Sequence, residues 1–226
     1  TDTLARYYRQ SGYETFYLTG TDEHGEKIAQ AASQAGMEPK AFTDRISATF
    51  QAAWDSCGFS YDHFIRPSDE GHIEYVKALL KQVYDAGDIY FDRYGGLYCL
   101  GCERFLTEKE LIDGKCPDHR TEPKLIEEEN YFFRMSKYQE PLLRHIESHS
   151  DFIRPEGFKN EVAAMLREPI GDLCISRPKS RLTWGIELPF DANYVTYVWF
   201  DALINYVSAL KCKGEESFQK SLPEAE

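Results

Sequence analysis

Three thiols and one imidazole stand as two close pairs in YCLGCERFLTEKELIDGKCPDH: Cys99-x2-Cys102 and, after thirteen intervening residues, Cys116-x2-His119. Each pair can pinch one metal ion from a tight turn, and Zn²⁺ takes four nitrogen or sulfur ligands in a tetrahedron. Gly101 and Gly114 give such a knuckle adaptable backbone, and Pro117 stiffens its second half. The competing arrangement is two disulfides or unrelated buried cysteines; two correctly spaced pairs argue against it. Four protein ligands leave no coordination position open, so this ion would be structural.

Two further groups of residues have the types and spacing for ligand binding. Asp22 and His24 lie in the polar cluster that follows an apolar run, where a carboxylate can accept charge-assisted hydrogen bonds from a ligand ammonium. The alternative is an ordinary turn, with Asp22 capping the next helix and His24 on the surface. Trp199, Leu203 and Tyr206 fall at i, i+4 and i+7, on one face if the segment is helical. Two aromatics around an aliphatic residue suit an unbranched apolar side chain, and a thioether gains about 0.3–1.5 kcal/mol beside aromatic rings. A plain core stripe gives the same pattern. The stretch ISRPKSR, Ile175 to Arg181, concentrates cations that suit a carboxylate or phosphate, although solvated surface charge is the commoner use. No Ser-His-Asp arrangement, GxxxxGK loop or GxGxxG motif accompanies these groups.

The elements that must position them follow from periodicity and punctuation. Residues 13–21, YETFYLTGT, read as a short buried strand ended by Gly20, followed by a helix from Glu26 to Ala35 that stops at Gly36. That unit puts Asp22 and His24 at the strand's C-terminal end, the edge where open α/β sheets bind ligands. Pro39 opens a helix carrying Phe42, Ile46, Phe50 and Trp54. Another spans Ser68 to Ala86, with Ile73, Val76, Leu80 and Val83 as its core stripe and Gly87 as terminator. From Asp88 short aromatic strands surround the knuckle, a helix follows near 136–149, and 194–210 returns to an apolar strand-to-helix unit. An α/β fold interrupted by a metal-bearing insertion fits this order.

Composition narrows the class. The 226 residues carry a formal charge of −12, which argues against a simple nucleic-acid-binding module. The basic stretch Arg154, Lys159, Arg167, Arg177, Lys179 and Arg181 is the candidate local exception. The metal segment is acidic, from Glu103 to Glu129, and most of its carboxylates read as a solvated face. With 3 Trp, 15 Tyr and 14 Phe a substantial core is available. No segment approaches the roughly 18 uninterrupted apolar residues of a membrane span, and no signal peptide is visible. Cys57, Cys174 and Cys212 stand outside the metal set, an odd remainder that fits a reducing, cytoplasmic location. Both ends read as those of a fragment.

Taken in order, TGTDEHG (Thr19–Gly25), the knuckle, EENYFFRM, REPIGDLCISRPKSRLTWGIELP and TYVWFDALINY resemble the class I methionyl-tRNA synthetases from Leu4 to Leu210. The resemblance implies a Rossmann-type nucleotide-binding fold with an inserted connective-peptide domain that binds zinc. Catalytic fold would occupy residues 1–87 and 194–226, and the insertion 88–193, its knuckle at 97–123. It implies activation of L-methionine by ATP, with Mg²⁺, and transfer of the methionyl group to tRNA(Met). Asp22 would hold the ammonium; Trp199, Leu203 and Tyr206 the thioether; Arg177 the carboxylate end; Glu187 and His24 would lie near ATP. The knuckle is expected far from the side-chain pocket. A non-catalytic zinc-knuckle module that binds RNA or another partner is the alternative.

The family's HIGH-type and KMSKS-type motifs are absent from these 226 residues: His24 belongs to TDEHG, and RPKSR is not a KMSKS loop. Displacement at a phosphate depends on positioning and electrostatics that such motifs supply. The chain alone is therefore expected to show no methionine-dependent ATP–pyrophosphate exchange; turnover near that of a full-length synthetase would contradict this.

Overall fold

The computed structural model describes residues 1–211; Cys212 and the polar tail to Glu226 lie outside the described residues. Helix α1 (Asp2–Gln10) leads to strand β1 (Leu18–Gly20), helices α2 (Glu26–Gln34) and α3 (Pro39–Ser56), and strand β2 (His63–Ile65). Strands β1 and β2 pair in parallel, Leu18 opposite His63, so the two helices form the crossover that a parallel pair requires. Strand β1 is shorter than the expected 13–21. Asp62 takes the Tyr17 amide on its side chain at 2.6 Å and returns its own amide to the Tyr17 carbonyl, so ladder pairing begins only at Leu18.

Helix α4 (Glu70–Asp85) begins after Asp69 and ends at Gly87, whose φ of 77° needs no Cβ. Strands β3 (Ile89–Cys99), β4 (Arg104–Leu106) and β5 (Lys124–Phe133) then build an antiparallel sheet of order β4-β3-β5-β6, with β6 at Leu173–Cys174. Between β5 and β6 lie helices α5 (Met135–Ser148) and α6 (Glu156–Arg167). A second antiparallel sheet has the order β7-β9-β8, from Ser176–Pro178, Asp191–Thr196 and Glu187–Leu188. The expected boundary between residues 193 and 194 falls inside β9, whose pairing with β7 and β8 ties both sides of that point into one sheet. Helix α7 (Val198–Lys211) follows at once.

The principal core joins these parts: Val76 and Leu80 of α4 meet Ile89, Ile175, Ile186, Leu188 and Ile204 of α7. The α4 stripe is thus the core face that its spacing predicts. Beside it runs a polar seam between α4 and α7, where His72 Nδ1 lies 2.7 Å from Ser208 Oγ and His72 Nε2 has no hydrogen-bond partner among the described residues. Burial, with the charge of His24 adding to it, pushes the His72 imidazole down to about 4. An unfolded imidazole takes its proton near 6.5, so between those values the unfolded chain binds more protons than the native one. This contribution to stability is complete above 6.5 and is lost as pH falls toward 4. Denaturation across that range is expected to show a flatter pH dependence in His72→Gln than in the parent; identical profiles would rule this origin out.

Candidate functional site

Strand β3 delivers Cys99 at its last position, the turn into β4 carries Cys102, and the loop before β5 carries Cys116 and His119. Cys102 Sγ lies 3.5 Å from Cys116 Sγ and 3.2 Å from His119 Nδ1, while Cys99 and Cys116 Sγ are each 3.9 Å from that nitrogen. All four ligand atoms fall within 4.8 Å of one another. A tetrahedral ion with metal–sulfur bonds of about 2.3 Å needs ligand separations of about 3.8 Å, so the donor set fits one. A disulfide needs about 2.05 Å between sulfurs, far less than the Cys102–Cys116 separation. Gly101 is there for space: a Cβ would come 2.3 Å from Cγ of the His119 ring. Leu106 and the buried Cys99 and Cys116 form a small core under the knuckle.

At the C-terminal end of β1 opens a cleft of about 520 Å³, with Asp22, His24 and Trp199 on its walls. Cys102, Glu103 and His119 line the same cleft. The knuckle is therefore not remote from the residues expected to bind substrate, because the β3–β4 turn folds back over the start of α2. A second cavity of about 450 Å³, lined by Phe105, Cys174, Arg177 and Tyr197, shares Trp199 with the first. A third, of about 320 Å³, lies between Leu18, Asp22, Asn205 and Tyr206.

A buried pair fixes the geometry of the cleft. His24 Nδ1 lies 2.6 Å from Asp201 Oδ2, both side chains almost wholly out of water, joining the turn after β1 to the first turn of α7. Asp201 Oδ1 has no hydrogen-bond partner among the described residues. Burial holds the Asp201 carboxyl above the usual range, against the pull of the His24 hydrogen bond, and the neighbouring Asp22 charge adds to the rise. Burial raises Asp22 as well. Beside them Glu23 is buried and accepts from Arg66 Nε at 2.6 Å and from Ser68 Oγ. Its carbonyl accepts the Trp184 indole N–H, and the Trp184 ring meets His24 edge-on at 5.1 Å.

The structure sorts the expected residues. Asp22, His24 and Trp199 come together, and Tyr206 joins Asp22 at the third cavity. Trp199, Leu203 and Tyr206 are 52%, 64% and 70% exposed, so the stripe on α7 is an open face and not core. His24 is buried rather than superficial, and its Nδ1 is committed to Asp201. Arg177 is buried in the second cavity, giving hydrogen bonds to the carbonyls of Ser176 and Glu103 and lying 4.5 Å over the Tyr197 ring. No carboxylate of the described residues pairs with it. Glu187 sits apart, exposed on β8 and paired with Lys179.

The basic stretch is no continuous patch. Arg181 bridges Glu128 and Glu26, Arg167 pairs with Glu147, and Arg154 with Asp151. Sequence reasoning missed Glu23, Glu103, Trp184 and Asp201. Only Glu23 and Asp201 carried a signal, each being an acid inside an otherwise apolar or ligand-bearing motif.

The family model described as tRNA synthetases class I (M) matches residues 1–125 and 119–225. The chain belongs to this family. It is 49% identical over 222 residues to a methionine–tRNA ligase of Deinococcus radiodurans, covering 96% of this chain and 33% of that protein. To the methionine–tRNA ligase of Clostridium acetobutylicum it is 50% identical over 210 residues, covering 92% of this chain and 32% of the relative. The chain thus spans about a third of the length of these relatives. The crystal structure of Mycobacterium tuberculosis methionyl-tRNA synthetase bound by methionyl-adenylate matches with a TM-score of 0.90 at 41% identity, over 99% of this chain and 45% of that one. The free form of that enzyme matches with a TM-score of 0.79 at 37% identity, over 99% of this chain and 43% of that one. The class I synthetase fold is therefore present here.

The His24–Asp201 pair is the join between the two halves of the cleft. Removing one partner of a buried pair leaves the other charge uncompensated and costs about 3–5 kcal/mol. Asp201→Ala is expected to lose about that much unfolding free energy in urea. A loss below about 0.5 kcal/mol would show that the pair does not hold the cleft together.

Proposed function

We propose that this chain serves a methionine–tRNA ligase. The full reaction joins L-methionine and ATP into methionyl-adenylate, releasing pyrophosphate, and then moves the methionyl group to the 3′ end of tRNA(Met), releasing AMP. One observation carries the reading. Asp22, His24 and Trp199 meet in one cleft at the C-terminal end of β1, in a chain that matches a methionyl-adenylate-bound synthetase over 99% of its length.

Each residue has a part that its environment supports. The Asp22 carboxylate, exposed on the cleft wall, accepts hydrogen bonds from the substrate ammonium, and binding that cation offsets the desolvation that raises its carboxyl. Trp199, with Leu203 and Tyr206 along the same exposed face, closes around the thioether. The buried Arg177 guanidinium, with no carboxylate partner among the described residues, makes the neighbouring cavity attractive to the carboxylate end or the phosphate. His24 acts by position: tied to Asp201, it sets the turn that presents Asp22. Glu187 is assigned to the ATP ribose on its motif alone, and Mg²⁺ would accompany ATP.

The knuckle residues Cys99, Cys102, Cys116 and His119 would hold Zn²⁺, their soft sulfur-rich set suiting that ion. Bound zinc would supply no reaction chemistry here, since four protein ligands fill its tetrahedron. Residues 1–87 and 194–226 would belong to the catalytic fold and 88–193 to the insertion. A free RNA-binding knuckle is the poorer reading, because the knuckle's inner face is spent on the cleft and Arg154, Arg167, Lys179 and Arg181 are each paired with a carboxylate.

Calorimetry with L-methionine tests this reading on the chain itself. Saturable binding is expected, weakened about tenfold or more in Trp199→Ala, in line with the loss of one aromatic wall. Methionine and isoleucine heats that cannot be told apart would reject it.

A further inference from the structure

Glu103 stands one residue beyond the knuckle ligand Cys102, in a segment most of whose acids read as solvated, yet it is only 8% exposed. Its φ of 53° puts a side-chain-bearing residue in the left-handed region, a conformation held only where surroundings enforce it. That bend sends the carboxylate away from the knuckle and across to the start of α2. There Oε1 accepts the Lys27 amide at 2.8 Å, one of the amides that a helix start leaves without an intrahelical acceptor.

The cap comes from 76 residues away because the local residue cannot supply it. The N-cap of α2 is Gly25, which has no side chain to cap with. Gly25 also makes the approach feasible: with φ of 107°, a Cβ there would lie 2.6 Å from Glu103 Oε2. The glycine and the glutamate are thus two halves of one fitting. The Glu103 carbonyl meanwhile accepts from Arg177 Nη2 at 3.3 Å, so the same residue touches the second cavity. Burial raises the Glu103 carboxyl, while the Lys27 amide opposes the rise. The three residues just ahead of the N-cap Gly25 are Asp22, Glu23 and His24.

We propose that Glu103 is a positioning residue through which the metal knuckle holds the Asp22–His24 turn: with the ion gone, the β3–β4 turn loosens, the cap on α2 is lost, and the turn before it loses its binding geometry. The substrate part of this proposal rests on the methionine reading above; the structural part does not.

Amide hydrogen exchange on the zinc-loaded chain decides the structural part. In Glu103→Ala the Lys27 amide is expected to exchange about tenfold faster, with Leu80 in the core of α4 unchanged. Glu103→Gln, which keeps an acceptor oxygen, is expected to stay within about threefold of the parent. Removing zinc with a chelator should reproduce the Glu103→Ala pattern at Lys27 in the parent and add little in the variant. Unchanged protection of Lys27 in Glu103→Ala, or protection that survives chelation, would overturn the proposal. One zinc per chain in each variant separates loss of the cap from loss of the knuckle.

Methionine calorimetry decides the substrate part. The dissociation constant is expected to rise about tenfold in Glu103→Ala and to return toward the parent value in Glu103→Gln. An unchanged constant alongside an exposed Lys27 amide would overturn the link to the substrate turn. A parent that binds no methionine at all would fail the functional reading instead, with the exchange result standing by itself.

Discussion

A 2.6 Å contact between His24 and Asp201, two side chains 177 residues apart in sequence and almost entirely shielded from water, closes the fold around its cleft. A buried carboxylate is costly unless something opposite in charge or rich in donors faces it. Here the imidazole does so, and the requirement fixes the turn after β1 against the first turn of α7. Two walls of the cleft are joined by that closure: Asp22 on one side, Trp199 two residues before Asp201 on the other. The apolar core of Val76, Leu80 and Ile204 holds the helices in register, but it does not specify which turn meets which helix. The polar contact does.

Around that join the structure repeats one device, a charged side chain reaching from one part of the chain to another. Arg66 reaches Glu23 and Asp44; Arg181 reaches Glu26 and Glu128; Glu103 reaches the amide of Lys27. Each of these ties the β1-to-α2 turn or its helix to a distant element. A short two-stranded parallel pair has little hydrogen bonding of its own, and its three residues per strand give the turn scant local support. The bridges take over that role. In a chain of net charge −12, Arg66 and Arg181 are thus spent inside the fold and not on its surface.

Much of this could be read from the sequence, and the reasons for success and failure are physical. Helices α2, α3, α4 and α5 were legible because 3.6-residue periodicity and terminators such as Gly36 and Gly87 are local signals. The knuckle was legible because ligand spacing is itself the chemistry. Strand β1 was overextended, since where a ladder starts depends on the partner strand and on Asp62, which the aromatic run 13–17 does not reveal. Among the acids of the knuckle segment, most of which read as solvated, nothing in the sequence singles out Glu103; only the bend at φ 53° turns it inward. Asp201 was hidden inside WFDAL, where an acid on an apolar helix gives no hint of its partner. The α7 stripe was placed correctly on one face, yet periodicity does not distinguish a face that packs on protein from one that waits for a ligand.

One cleft is shared by the residues proposed to bind substrate and the Cys/His knuckle. Nitrogen–proton correlation spectra of the zinc-loaded chain, recorded as L-methionine is added, address this most directly. The indole signal of Trp199 and the amides of Asp22 and Gly101 should shift together along one saturation curve, with the indole of Trp54 on α3 unmoved. Shifts confined to α3 or α6, or a Trp199 response with no movement at Gly101, would contradict a shared cleft.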